Sequence, residues 1–180
     1  ANKDSAFGLK PIGKVGQNDD NQGLSEYKTD NTNNSAIFFQ DPVKALAAGT
    51  IGVAAAGDVL LGSFNGCFFT DSNTQKPTFA NHLNASNTAT DIVGFVADDP
   101  YERFEIQSDN TTASEQTDVF RLYNILYKVE LDDSTTSTVT NQLKVIGVSK
   151  NPDGNDLTTS NVNFVVTINE HFYKAAVAGI

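Results

Sequence analysis

Hydrophobic residues in this chain come in short runs, and nearly every run is cut off by Gly, Asn, Asp or Pro. Ile37-Phe38-Phe39 runs into Asp41-Pro42, Val59-Leu60-Leu61 into Gly62-Ser63, and the β-branched and aromatic stretch Asp91 to Ala97 into Asp98-Asp99-Pro100. Phe104 and Ile106 alternate with Glu105 and Gln107, the two-residue period of a half-buried strand. Gln142 to Ser149 reads the same way, and Val162 to Asn169 is the last strong strand. Between these two lies Asn151-Pro152-Asp153-Gly154, a turn with a mechanism: proline fixes φ and glycine supplies positive φ. Strands at this spacing predict an all-β fold, a compact β-barrel or β-sandwich with at most one or two short helices. Its expected core contains Phe38, Leu60, Phe68, Phe95, Phe104, Ile106, Val145 and Val165.

Composition points the same way. The 180 residues include 19 Asn and 18 Thr, and acids are 16 Asp against 6 Glu. Short polar side chains of this kind compete for nearby backbone groups and favour turns, caps and strand edges over helix interiors. A helical bundle or coiled coil is therefore excluded. Val119 to Val129 is ambiguous: Val119, Leu122, Tyr123 and Leu126 recur at helical spacing behind a cap at Thr117 or Asp118, while Tyr123, Ile125 and Tyr127 alternate as a strand. Residues 84–90 have room for at most one helical turn.

Residues 1–34 differ from the rest. Gly, Asn and Asp dominate Gly13 to Gly23, and Asn31-Thr32-Asn33-Asn34 closes the stretch. The expectation is an N-terminal arm over 1–34, either extended and lying on its own domain or a neighbour or else a disordered leader, and a β-rich globular domain over 35–180. The net charge is -10, with only 12 basic residues spread thinly, which leaves no electrostatic footprint for nucleic acid or an anionic membrane. No apolar run has the length of a membrane-spanning helix, and the N-terminal residues lack the apolar core of a signal peptide. A single cysteine, Cys67, excludes an intramolecular disulfide framework and any multi-cysteine metal site.

Chemistry-bearing motifs are sparse. Cys67 could be paired on paper with His82 or His171, yet its setting, Phe64-Asn65-Gly66-Cys67-Phe68-Phe69, is that of a small hydrophobe in a strand. There is no Gly-x-Ser-x-Gly elbow, no P-loop and no dinucleotide fingerprint. Glu170-His171 lacks a second histidine at metal-binding spacing. The tandem carboxylates Asp19-Asp20, Asp98-Asp99 and Asp132-Asp133 would point to opposite faces of a strand. Asp98-Asp99-Pro100 and the loop with Asp153, Asn155 and Asp156 carry turn oxygens suited to Ca²⁺, but without EF-hand spacing. Sequons at Asn33, Asn84 and Asn110 are what a chain this rich in Asn and Thr produces by chance. The sequence thus predicts no catalytic residue, no cofactor and no metal.

The order of local phrases is more informative than any one site. Phe7-Gly8-Leu9-Lys10-Pro11-Ile12 opens the chain, followed by Ile37-Phe38-Phe39-Gln40-Asp41-Pro42-Val43 and Gly57-Asp58-Val59-Leu60-Leu61-Gly62. Then come Phe64-Asn65-Gly66-Cys67-Phe68-Phe69-Thr70-Asp71, Gln75-Lys76-Pro77-Thr78-Phe79, Asp98-Asp99-Pro100-Tyr101-Glu102-Arg103-Phe104 and Ile168-Asn169-Glu170-His171. This succession resembles the capsid decoration (cement) proteins of tailed bacteriophages, especially marine and cyanobacterial phages. Residues 117–140 are shorter than the Gly-rich segment of that pattern. The resemblance implies a structural, non-enzymatic virion protein on the outer capsid surface, bridging neighbouring subunits of the major capsid protein as a homo-oligomer, dimer or trimer. The residues expected to touch partners are Phe7, Leu9, Pro11 and Ile12 of the arm and Asp98, Asp99, Pro100 and Tyr101 of a loop. The alternative from another class is a carbohydrate-binding or adhesive β-domain of a phage fibre or surface protein, with Tyr101, Tyr123, Tyr127 and Tyr173 as its aromatic platform.

Overall fold

The computed structural model describes residues 1–16, 23–29, 35–109, 114–127, 129–176 and 178–179. Its strands in chain order are β1 (Lys10–Lys14), β2 (Leu24–Lys28), β3 (Pro42–Ala45), β4 (Ile51–Val53), β5 (Gly62–Thr70) and β6 (Pro77–Ala80). They continue with β7 (Val93–Ala97), β8 (Glu102–Ser108), β9 (Leu122–Leu126), β10 (Glu130–Ser137), β11 (Leu143–Val148) and β12 (Asn163–Ile168). Among the described residues the helical content is one 3-10 turn, Gln116–Asp118, so the fold is all-β as the sequence predicts. No helix there is long and apolar enough to cross a membrane.

The first sheet runs β1-β8-β10-β9-β11-β12, and a further pairing of β12 with β8 closes the last five strands into a barrel. The register explains which side chains fill it. Phe104 faces Val166 and Ile106 faces Phe164 across β8 and β12, Leu143 faces Ile168 and Tyr123, and Ile125 faces Leu131. Cross-strand partners share a face, so this whole set points inward and is buried. Val165 pairs with Glu105 and so lies on the opposite face from Phe164 and Val166, half-buried rather than in the core. Leu60, Phe104, Ile106 and Val145 are fully buried, as expected.

The second sheet runs β2-β7-β5-β3-β4, with β6 added to β5, and it curls until its edges touch in a parallel bridge, Thr29 to Ile51. Phe64, Val96, Cys67, Val43 and Ile51 point inward, packed with Ile37, Leu83, Ala89 and Ile92. Here three expected core residues are corrected. The β5–β7 register shifts between Phe64 and Cys67, where Gly66 has φ +115° and a Cβ would approach the Ala80 carbonyl oxygen to 2.9 Å. A bulge of this kind reverses the face on which later residues fall, so Cys67 turns in and Phe68 turns out. Phe95 alternates with the buried Val96 and follows Phe68 outward, and Phe38 sits in the exposed turn after Ile37. In the ambiguous Val119 to Val129 segment, Val119 caps the 3-10 turn in extended conformation and Leu122–Leu126 form strand β9, while residue 128 lies outside the described residues. Residues 84–90 contain no helix.

The two sheets are stitched by described parts of the expected N-terminal arm, which lie on the chain's own body. β1 pairs with β8 and so covers an edge of the first sheet, and β2 pairs with β7 along its whole length. Leu9 is fully buried between them; its N–H donates to the Gln40 carbonyl (2.9 Å) and its carbonyl accepts from the Ser63 hydroxyl (2.6 Å). The described parts of residues 1–34 therefore belong to the body, because an open strand edge and an apolar seam give Lys10–Lys14 and Leu9 more burial than solvent does. Residues 17–22 and 30–34 of that expected arm lie outside the described residues.

Candidate functional site

The β7–β8 connection, Asp98 to Tyr101, is where barrel, second sheet and C-terminal segment converge. Pro100 follows two aspartates that serve as local acceptors. Asp99 takes a hydrogen bond from the Tyr101 N–H (2.8 Å) and an ion pair from Lys14 Nζ (2.8 Å), and the Lys14 contact, with the Tyr101 N–H, holds its carboxyl below the usual carboxylate range. Asp98 accepts from the Ser25 hydroxyl (2.8 Å) and from the Tyr27 hydroxyl (2.5 Å). The Tyr27 oxygen also lies 2.7 Å from the Tyr173 hydroxyl, and burial, reinforced by Asp98, raises the Tyr27 phenol well above its ordinary range.

These groups line a cleft of about 370 Å³ whose walls include Lys14, Leu24, Ser25, Asp98, Asp99 and Tyr173. Glu102, at the first position of β8, also lines it, on the face that points into the barrel mouth. Its carboxylate accepts from the Gly13 backbone, but Oε1 is buried and has no hydrogen-bond partner among the described residues. The residue is only 4% exposed, and desolvation, helped by the Asp99 charge, pushes its carboxyl up to about 7. On the C-terminal side, Lys174 donates to the Pro100 carbonyl (2.9 Å) and lies 5.4 Å from the centre of the Tyr101 ring. His171 is buried in the same region, its Nδ1 accepting from the Tyr173 N–H (3.0 Å), and burial lowers its pKa.

Of the eight residues expected to touch partners, the structure gathers Asp98, Asp99 and Pro100 at this cleft, with Tyr101 next to them in the chain and 59% exposed. It separates the other four. Leu9 is fully buried and cannot anchor a partner, Phe7 is half-buried over a shallow hollow with Ser5 and Gln107, and Pro11 and Ile12 are partly covered within β1. Lys14, Ser25, Tyr27, Glu102 and Lys174 were not singled out in the sequence, although Glu102 stands inside the phrase that carries Asp98 to Tyr101. Nothing local marks Ser25 or Lys174, which reach the cleft only through tertiary packing.

Other expected chemistry is dispersed. Cys67 is buried, its thiol is pushed up to about 11 by desolvation, and its sulfur contacts the His82 backbone carbonyl rather than a ring nitrogen (3.6 Å). The His82 ring instead pairs with Asn81 and stacks on Phe38. The Asp156 carboxylate is engaged by the Thr158 N–H and hydroxyl. Among the described residues, Asp109, Asp132 and Asp133 bring three carboxylates within 4.8 Å of one another, and the last two form one of the tandem pairs read from the sequence. Elsewhere on the surface, Phe79 is 75% exposed and packs on Phe68 (4.8 Å between centroids) and Phe95 (6.1 Å), while Phe38 and Phe39 are exposed beside His82.

The fold and site together define an all-β protein with surface aromatics and a polar cleft at the β7–β8 connection. No family model matches the chain, and comparison with curated proteins and with solved structures gives no match.

Proposed function

We propose that this chain is a non-enzymatic structural virion protein that binds the outer surface of a phage capsid as a homo-oligomer and bridges neighbouring major capsid subunits. The observation that carries the reading is the outward aromatic group Phe68, Phe79 and Phe95, supported by the separate exposed pair Phe38 and Phe39. Contiguous aromatic surface on an otherwise acidic body marks a place where another protein is seated. Two such patches on one chain suit a bridging element, whose linkage grows by multivalency rather than through one deep pocket. The charge of -10 suits the exterior of a shell, away from packaged nucleic acid. The resemblance in the order of its sequence phrases points the same way.

The test is occupancy on purified capsids. Phe79→Ser leaves the fold intact, because its ring lies outside both cores, and lowers occupancy at least several-fold; unchanged occupancy refutes the reading. Deleting residues 1–30 is a poorer test, since it removes β1, β2 and the buried Leu9.

A second reading, a carbohydrate-binding domain, draws on Tyr101 and Tyr173, both more than half exposed near a cleft with Asp98, Asp99 and Ser25. Saturable binding on a glycan array without capsid association would favour it. Tyr123 does not join that platform, being buried in the barrel, and Tyr127 lies apart in the turn after β9.

A further inference from the structure

We propose that the cleft between β1, β2 and the start of β8 receives a basic side chain, arginine or lysine, from a partner protein, with Glu102 as its buried counter-charge. This deepens the capsid-binding reading and rests on it for the partner's identity, but the site itself stands on geometry. The cleft is open, about 370 Å³, and bounded by three carboxylates, Asp98, Asp99 and Glu102. Two of these are already used: Asp98 by Ser25 and Tyr27, Asp99 by Lys14 and the Tyr101 N–H. Glu102 Oε1 is the acceptor left over, buried and without a partner among the described residues. A buried acceptor without a donor carries its full desolvation cost, which an incoming N–H donor relieves. Rotation about χ3 of glutamate is soft, so the oxygen can turn toward a ligand in the cleft at little cost.

The chemistry favours a cation over a sugar. A sugar ring is recognised through several acceptors and donors at once, whereas Asp98 and Asp99 are committed to internal partners and one carboxylate oxygen remains. A guanidinium or ammonium group needs only that oxygen for a charge-assisted bond, and it gains from the surrounding negative field. The Tyr173 ring, 54% exposed at the rim, offers a face on which the cation or its aliphatic stem can lie. The charged groups near Glu102 are Lys14 on β1, Arg103 on its own strand and Asp99 in the preceding turn, with Asp98, His171 and Lys174 farther along the same junction. Binding a cation favours the ionised carboxyl, so the proton on Glu102 is released. With the carboxyl titrating at about 7, affinity falls about tenfold from pH 8 to pH 6.

The experiment is an NMR titration of the full chain with N-acetyl-arginine amide, with the citrulline analogue as neutral isostere and methyl glucoside as a sugar probe. The expected result is saturable shifts of the amides of Lys14, Ser25, Asp99 and Glu102. Binding should be at least tenfold weaker for the citrulline compound, and weaker at pH 6 than at pH 8. Glu102→Gln, with amide dispersion checked for folding, abolishes the arginine response. Equal binding of arginine and citrulline compounds, shifts located elsewhere, or methyl glucoside alone moving these amides overturns the proposal. The wild-type comparison of the two isosteres decides the matter even if the variant does not fold. Because no capsid is present, failure here is separable from failure of the Phe79→Ser occupancy test.

Discussion

Replacing Gln142 with leucine tests how the barrel is fastened to the second sheet. Gln142 is fully buried at the entry to β11, and its amide is completely used. Both Nε2 hydrogens are spent, on the Ala55 and Asp58 carbonyls (2.8 Å each), and Oε1 accepts from the Ile125 N–H of β9 (3.1 Å). Leucine has nearly the same volume, so no cavity opens and the change isolates the three hydrogen bonds. The Ala55 and Asp58 carbonyls lie in an accessible loop and can recover water, so each lost bond costs about 1 kcal/mol. The Ile125 N–H is inside the barrel wall and cannot, which adds about 1–3 kcal/mol. Apolar burial of the new side chain returns about 1–2 kcal/mol. The net expectation is a loss of about 2–3 kcal/mol. In a urea titration with a slope of about 2 kcal/mol per molar, this lowers the midpoint by about 1 M without changing the slope. Limited proteolysis should then cut first between Ala54 and Val59, the loop whose tether is gone. A loss below about 0.5 kcal/mol, or first cleavage elsewhere, would show that this side chain does not fasten the two sheets.

Three further outcomes are expected. Gly62→Ala places a Cβ 2.1 Å from the Ala97 carbonyl oxygen and 2.8 Å from its carbon, both backbone atoms, so it should destabilise by at least the ~1–3 kcal/mol of ordinary overpacking; near-wild-type thermal stability would refute this. Cys67, buried and with its thiol pushed up to about 11, should resist thiol reagents at pH 8 and react only as the chain unfolds, which a comparison of labelling with and without denaturant measures. The Glu102 carboxyl sits at about 7 in the folded chain against an ordinary value of 4.5, so the folded state holds the proton more tightly and stability falls as pH rises from 4.5 to 7. Urea midpoints taken across that window should slope down in the parent and less so in Glu102→Gln; parallel profiles would refute the assignment.

Legibility in the sequence followed the range of the interactions. Alternation of Phe104 and Ile106 located β8 because a strand's period is local, but the expected half-burial fails, since Glu105 and Gln107 on the other face are buried as well under β1 and the N-terminal residues. The Asn151-Pro152-Asp153-Gly154 turn is equally local, and the Gly154 N–H donates to the Asn151 carbonyl (3.1 Å), but Gly154 does not take the positive φ expected of it and instead makes room for the Asn163 side chain, which a Cβ would approach to 2.4 Å. Phe68 was misplaced because one glycine in β5 forms a bulge, and a single-residue register shift exchanges the two faces of everything after it. For residues 1–34 the sequence leaves open whether the extended arm lies on its own body or on a neighbour, for a different reason. Gly- and Asn-rich composition describes how easily a segment stays unfolded, while the edges and seam that capture β1, β2 and Leu9 are made by residues far along the chain. The cleft divides along the same line: Asp98 to Tyr101 is visible as a turn, but its companions Lys14, Ser25, Tyr173 and Lys174 come from three other segments.

Glu102 joins these threads, because as a counter-charge it makes folding and partner binding respond to one substitution with opposite signs. A carboxylate at the barrel mouth, 4% exposed and short of one donor, opposes folding at neutral pH, and neutral glutamine of the same shape removes the charge that is poorly hydrated there. If Glu102 served only packing, Glu102→Gln would be neutral or stabilising above pH 7 and would change no binding property. If it serves as the counter-charge of an incoming arginine or lysine, the same variant gains stability above pH 7 and loses the partner. Structural importance alone cannot produce that pairing, since a residue needed for the fold loses both together. The opposition of signs, measured on one protein in two assays, therefore separates a cleft built to be filled from an incidental flaw where two sheets meet.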